Sequence, residues 1–323
     1  MKFGKLYCFV ISYKFVNAGP KSLCISPNSH NTFRRYTFLN PYLFNFNKSL
    51  GYSVSPGKNT IEMVGTANSD TEYSFDAKAK YLGEAGTKSF KVEFVDAKDN
   101  KISPWHDLPL FATKDFVTMV VEIPRNTRAK MEIVTGAENN PIKQDLFANG
   151  DLRDLDCPMY WNYGAIPRTW EAPMPYVHKY RGDKGEALSM ELLGDNDPLD
   201  IVDVGRVTRK VGDLVAMKPV GAVSLIDQNE IDWKILGVSP DDEHFDDIND
   251  LEDVDVYYPG TTTGIMEFFR WYKTPRGKPL NKFLPKKNLC TRKEALELVN
   301  ETHHHYQQLM EGKLEGGDLW TGK

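Results

Sequence analysis

The sequence predicts an α+β fold, mainly β, built around a barrel or strongly bent sheet, and three observations carry that expectation. Short segments in which apolar and polar residues alternate recur between residues 90 and 238, which is the period of half-buried strands. Helical spacing of apolar residues is confined to residues 261–309, and strands followed by late helices favour α+β over a regularly alternating α/β plan. No run approaches the roughly 18 uninterrupted apolar residues that a membrane span requires. With 41% apolar and 26% charged residues, the 323-residue chain has the composition of a soluble globular protein with enough length for a sizeable core.

Residues 1–61 contain no Asp or Glu but eight Lys and Arg, Arg34 and Arg35 among them. That composition suits an organelle import sequence, with mitochondrial or plastid import as the destination to expect. Residues 6–16 read alternatively as a short signal-peptide core, and a compositionally biased disordered extension is the plain alternative. The expected division is therefore a basic leader at 1–61 and a folded domain at 62–323, intracellular and cytoplasmic unless the leader directs it elsewhere.

An N-terminal β-hairpin and meander open the domain. Phe90, Val92 and Phe94 alternate with Lys91 and Glu93, Asp99 and Asn100 supply a turn, and residues 116–123 form the next apolar strand. Residues 130–133 alternate again, with Met131 and Ile133 on one face and Lys130 and Glu132 on the other. Further strands are expected at 199–204, 214–218, 221–226 and 233–238. The run Thr261-Thr262-Thr263 opens a helix with Ile265, Phe268, Phe269 and Tyr272 at helical spacing, which must stop before Pro275. A capping box of Thr291 and Glu294 starts the second helix, whose stripe is Ala295, Leu298, Val299, Thr302, Tyr306 and Leu309.

Charge and ligand chemistry narrow the function. Residues 62–323 hold 32 Lys and Arg against 45 Asp and Glu, a balance of −13 that argues against nucleic acid and suits a protein that gathers divalent cations. Four cysteines stand far apart with no zinc-type spacing, which points to a reducing compartment. His303, His304 and His305 are consecutive, so a helix directs them to different sides and they form a solvated surface rather than a metal site.

The most informative stretch is Gly194-Asp195-Asn196-Asp197-Pro198-Leu199-Asp200-Ile201. Three carboxylates fall within six residues, and Pro198 denies them a regular helix or central strand, so they project from a turn and can converge. Oxygen-only ligands favour a hard ion such as Mg²⁺. A calcium EF-hand loop fails on its details, because Leu199, Asp200 and Arg206 occupy positions where that loop needs an acid, Gly and Glu. An Asx-rich solvated turn is the alternative reading. Downstream, Asp232 and Lys234 share a strand face while Trp233 points to the core, a pattern also common on ordinary surfaces.

Together these stretches resemble the soluble family I inorganic pyrophosphatases, whose signature Asp-x-Asp-Pro-apolar-Asp runs here from Asp195 to Asp200. The resemblance spans about 62–320 and includes Trp105-His106-Asp107-Leu108-Pro109-Leu110, Val121-Glu122-Ile123-Pro124-Arg125, Asn162-Tyr163-Gly164-Ala165-Ile166-Pro167, Asp232-Trp233-Lys234 and Arg270-Trp271-Tyr272-Lys273, followed by Gly277-Lys278-Pro279. The His106 hairpin and the long spacing resemble the eukaryotic branch. The resemblance implies an OB-like β-barrel with flanking helices and the cavity at its mouth, several Mg²⁺ ions, pyrophosphate and phosphate as ligands, and a homodimer.

Carried over by position, it implies Asp195, Asp200 and Asp232 as ligands of one magnesium and Asp200 as a ligand of a second. Asp227 and Glu132 would hold further ions, and Asp197 would act as general base toward the attacking water. Lys130, Arg153, Lys234, Tyr272 and Lys273 would bind phosphate, while Glu122 and Tyr163 would support the catalytic set by hydrogen bonds. Two positions depart from the family pattern. Met159, with Tyr160 beside it, stands where a second tyrosine is usual, and Arg276 stands where an acid is usual. They motivate one alternative, a non-catalytic interaction module on the same fold; a metal phosphohydrolase of organic phosphates is another.

Overall fold

The computed structural model of the chain describes residues 75–322 and two short strands that precede them. Two units divide the chain, Met1–Asp70 and Thr71–Lys323. In the first, β1 (Gly51–Ser53) and β2 (Glu62–Val64) pair antiparallel. The rest of the expected leader lies outside the described residues. No helix among the described residues is long and apolar enough to cross a membrane.

The second unit opens with β3 (Ala77–Leu82), a strand the sequence did not suggest, paired with β4 (Lys91–Asp96), and the expected turn at Asp99 and Asn100 joins β4 to β5 (Lys101–Ile102). Asp96 Oδ1 accepts from the N–H groups of Lys98 and Asn100, and Asp99 takes a φ of 70°, which an Asp tolerates in a tight turn. β6 (Phe111–Thr113) and β7 (Phe116–Ile123) enter the larger sheet, while β8 (Met131–Ile133) and β9 (Ile142–Gln144) complete the first in the order β3-β4-β9-β8. As the alternation requires, Met131 and Ile133 are buried.

The larger sheet is carried by β10 (Asn162–Ala165), β11 (Pro175–Arg181), β12 (Ala187–Gly194), β13 (Asp200–Asp203), β14 (Leu214–Asp227) and β15 (Glu230–Val238). Five strands close a ring of pairings, β7 to β10, β13, β15, β14 and back to β7. β14 makes closure possible. Leu214 to Met217 pair with β7 and Lys218 to Asp227 with β15, with a register shift between Pro219 and Gly221 inside the second pairing. The sequence suggested two strands here; one long strand runs through instead, and an irregularity at Pro219, which has no N–H to give the ladder, accommodates the proline. β10 approaches β7 so closely that a Cβ on Gly164 would lie 2.0 Å from the Val120 carbonyl oxygen, so only glycine fits beside Tyr163.

α1 (Leu251–Tyr257), α2 (Thr261–Trp271), β16 (Lys282–Phe283), β17 (Leu289–Thr291) and α3 (Arg292–Met310) follow. Ile201 and Ile235 face a core cluster that α3 closes with Ala295 and Val299, whereas their neighbours Val202 and Leu236 face a second cluster closed by Ile265, Phe268 and Phe269 of α2. Each such aromatic or aliphatic side chain contributes about 2 kcal/mol by leaving water. α3 carries its capping box, and its six stripe residues are all buried.

α2 opens on the threonine run as expected, with Gly260 as N-cap and the Asp255 carboxylate taking the Thr262 N–H. Other details differ from expectation. α1 escaped notice because its acids leave Val254 as its one buried side chain. β11 and β12 were hidden because Val177 and Leu193 lie on the exposed face, which blurs the two-residue period. Of the three histidines only His304 is exposed: His303 Nδ1 donates to the Arg168 carbonyl at 2.6 Å, and His305 is half-buried.

Candidate active site

Two pieces of backbone hold the carboxylates. The turn between β12 and β13 puts Asn196 at a φ of 70°, and it is pinned from outside: Asn196 N–H donates to the Glu171 carbonyl and Glu171 N–H to the Asp197 carbonyl, both at 2.9 Å. Asp195 Oδ1 takes the Asp197 N–H at 3.1 Å. Beside this turn, β13 and β15 run parallel with Asp200 opposite Lys234. Asp232 stands two residues from Lys234 and so shares its face, while Trp233 turns into the core. Asp227 ends β14 just before a hairpin turn in which Gln228 and Asn229 both take positive φ.

The result is a cavity of about 320 Å³ lined by all thirteen candidate residues. Its acids are Asp195, Asp197, Asp200, Asp227, Asp232, Glu122 and Glu132, its cations are Lys130, Arg153, Lys234 and Lys273, and Tyr163 and Tyr272 line it as well. Lys234 Nζ donates to Asp200 Oδ2, to Asp232 Oδ1 and, at 3.0 Å, to the Tyr163 hydroxyl. Lys130 pairs with Glu132, and Lys273 with Asp227, whose Oδ2 also accepts from Tyr272 at 3.5 Å. Glu122 Oε1 accepts the Ile133 N–H at 2.7 Å.

So many acids in one place hold their protons tightly. Burial, reinforced by Asp200, pushes Asp197 up to about 7; its side chain is open to water in the cavity, yet protein surrounds it on the other sides. Asp232 is pushed up to about 6 by burial, against the opposing pull of Lys234. Asp195 is raised by burial and by Asp232, and Glu122 by burial and by Asp200. Burial alone would lower Lys234, but Asp200 and Asp232 outweigh it and hold the ammonium well above its ordinary value.

Several participants carry no signal in the sequence. Glu171 is 4% exposed, and its carboxylate lies with those of Asp195 and Asp232 so that the three ligand oxygens fall within 4.8 Å of one another. Asp200, expected with Asp195 and Asp232, stands outside that trio, and Lys234 bonds it as it bonds Asp232. Asp145 holds two of the cavity's cations, bonding Lys130 at 3.2 Å and Arg153 at 2.7 Å. Both acids are isolated in sequence, and nothing in local spacing marks them.

The two departures have structural explanations. Met159 is 2% exposed within a core cluster, and Tyr160 is 48% exposed with its ring against Trp161 and Phe268, so neither lines the cavity. Tyr160 has not moved in to replace the missing hydroxyl. Arg276 pairs with Asp156 at 2.7 Å and lies 4.4 Å from the Phe147 ring, where an acid would face Asp156 with like charge.

Carboxylates able to gather cations, interleaved in one cavity with lysines and an arginine able to gather phosphate, define the class, a metal-dependent enzyme of phosphate chemistry. A family model described as inorganic pyrophosphatase matches residues 119–307. Among curated proteins, the soluble inorganic pyrophosphatase 6, chloroplastic, of Arabidopsis thaliana is 38% identical over 247 residues, 76% of this chain and 79% of that one. Among solved structures, the type I inorganic pyrophosphatase from Toxoplasma gondii superposes with a TM-score of 0.65 at 37% identity, covering 72% of this chain and 99% of that one. The truncated vacuolar soluble pyrophosphatase of Trypanosoma cruzi in complex with PPi gives 0.65 at 32% identity, covering 80% and 100%. The chain belongs to the inorganic pyrophosphatase family.

Proposed function

We propose that this chain hydrolyses inorganic pyrophosphate to two phosphates, with Asp197 as general base and magnesium held by the surrounding carboxylates. The observation that carries the reading is the convergence of acids separated by more than a hundred residues, from Glu122 to Asp232, on the cavity that also holds Lys130, Arg153, Lys234 and Lys273. The donor set fits a hard divalent ion: every candidate ligand is a carboxylate oxygen, and Asp227 Oδ1 and Glu171 Oε2 are buried without a hydrogen-bond partner. Asp195, Asp200 and Asp232, with Asp227 and Glu132, would hold the ions. Magnesium supplies Lewis acidity toward the phosphoryl oxygens and the attacking water when bound.

The remaining work falls to the chain itself. Lys130, Lys234 and Lys273 offset the charge of the polyanion, and Arg153 offers a two-pronged donor to phosphate oxygens. Tyr272 adds a hydroxyl donor without charge. Asp197 accepts the proton of the attacking water at its carboxylate, a role suited to an acid whose proton affinity is raised toward neutrality. Tyr163 orients Lys234, and Glu122 braces the strand that carries Glu132 through the Ile133 N–H.

Purified protein should release phosphate from pyrophosphate only with a divalent cation present. Well-folded protein that releases none rejects the activity, and faster release from nucleotides or sugar phosphates at equal Mg²⁺ rejects the substrate. The ring of five strands supports the OB-like barrel reading, the acid-free basic residues 1–61 a leader ahead of a domain at 62–323, and the chloroplastic relative an organellar address. A homodimer is expected, and light scattering of the purified chain tests it.

A further inference from the structure

Arg276 lines no part of the catalytic cavity, yet it joins two segments that do. The first is the run 145–156, in which the chain turns back on itself: the Phe147 N–H bonds the Asp151 carbonyl, Leu146 bridges to Leu152, and Arg153 comes to lie at the cavity. The second leaves α2 with Tyr272 and Lys273, which line the cavity and reach Asp227, and then closes a 3-10 turn at Thr274–Arg276. Pro275 fixes one φ of that turn and Gly277 ends it at a φ of 74°, so the backbone sets where Arg276 stands relative to Lys273.

From that turn Arg276 reaches the first segment at three points. Its Nη2 donates to the carbonyl of Asp154, the residue next to Arg153; its Nε lies 2.7 Å from Asp156 Oδ2; and its guanidinium carbon stands 4.4 Å from the centre of the Phe147 ring. Asp156 Oδ2 is buried and takes no hydrogen bond, so the guanidinium charge is what meets it. The two side chains are 31% and 24% exposed, and water screens the pair only in part. A planar fork serves a carbonyl, a carboxylate and a ring at once, which an ammonium cannot do.

Arg153 has four other ties. Its N–H bonds the Asp145 carbonyl, its carbonyl takes the Lys130 N–H and the Gln144 side chain, and its Nη1 bonds the Asp145 carboxylate. None of the four joins it to the segment of Tyr272 and Lys273. We propose that Arg276 is a positioning residue for the substrate: it sets the span between Arg153 and the Tyr272–Lys273 pair, and with it the grip on the two phosphate groups of pyrophosphate. The role rests on the function proposed above. Those groups are held in the ground state as well as in the transition state, so a lost span weakens binding more than turnover.

The test measures steady-state phosphate release and, separately, calorimetric binding of methylenediphosphonate, a diphosphate analogue with carbon at its bridge. Both run on the full chain at saturating Mg²⁺, with a thermal melt of every variant. Arg276→Met keeps the length of the side chain and removes its charge and its fork; KM for pyrophosphate and Kd for the diphosphonate should each rise about tenfold, with kcat within about threefold. Arg276→Lys keeps the charge without the fork and should recover only a minor part of that loss. In an Arg153→Ala background Arg276→Met should add no more than about twofold, because the side chain it positions is gone.

KM and Kd within about twofold of wild type in Arg276→Met overturn the role, whether or not the melting temperature falls. Full recovery in Arg276→Lys assigns the effect to charge alone and overturns it too, as does a penalty of undiminished size in the Arg153→Ala background. If Arg276→Met does not fold, Arg276→Lys carries the same comparison, with a Kd raised severalfold beside Arg153 and unchanged beside Ala. Wild-type protein that binds the diphosphonate but releases no phosphate rejects the activity proposed above and leaves the Kd series to decide the role of Arg276; wild-type protein that does not bind it overturns both.

Discussion

Replacing Asp197 by Asn isolates the proton-transfer step, because the structure separates that side chain from the fold. The backbone of Asp197 is held by Glu171 and by the Asp195 carboxylate, while the Asp197 carboxylate itself faces the cavity. Asn has nearly the same size and keeps those backbone bonds, so the melting temperature should stay within a degree or two or rise slightly as repulsion from Asp200 disappears. What vanishes is the proton acceptor. A positioned general base is worth about 10²- to 10⁴-fold, so kcat should fall by that factor, about 3–5 kcal/mol of barrier, with KM for pyrophosphate changed little. The assay is steady-state phosphate release at saturating Mg²⁺ alongside a thermal melt. A loss below about tenfold would show that another group takes the proton, and a large drop in melting temperature would show that the side chain supports the fold.

Three further outcomes follow from the same geometry. Because Asp232 holds its proton up to about pH 6, Mg²⁺ must displace protons below that pH; its half-saturating concentration, measured calorimetrically, should rise about tenfold per pH unit per proton released. Asp203, buried behind Asn162 and away from the cavity lining, is pushed up to about 6 mainly by burial. A carboxyl whose folded pKa exceeds its unfolded value of 3.8 favours the fold while protonated. That contribution is complete below about pH 4 and is lost as pH rises through 6, about 3 kcal/mol for this group. The stability of Asp203→Asn relative to wild type, read by urea unfolding, should therefore rise between pH 4 and 7. Lastly, Tyr160→Phe should leave kcat and KM within about twofold, since the hydroxyl lies outside the cavity lining; a larger loss would place that hydroxyl on the substrate.

What the sequence by itself determined is what depends on neighbours along the chain. The stripe of α3 and its Thr291–Glu294 box, the hairpin turn at Asp99, the opposite facing of Lys130 and Met131 and the turn of carboxylates around Pro198 follow from fixed local periods and from backbone chemistry within a few residues. Their order along the chain was also enough for the family resemblance. Tertiary structure decided the rest. Lys234 reaches Asp200 because β13 and β15 pair in parallel at one register, 34 residues apart, and a slip of one residue would turn Lys234 to the other face. Ring closure depends on β14 pairing with β7 through Leu214 to Met217 and with β15 through Lys218 to Asp227. Glu171 and Asp145 gain their places only once distant backbone folds over them. Periodicity records which way a side chain points from its own strand; which charges it meets there is set by pairing and packing between segments that sequence distance does not encode.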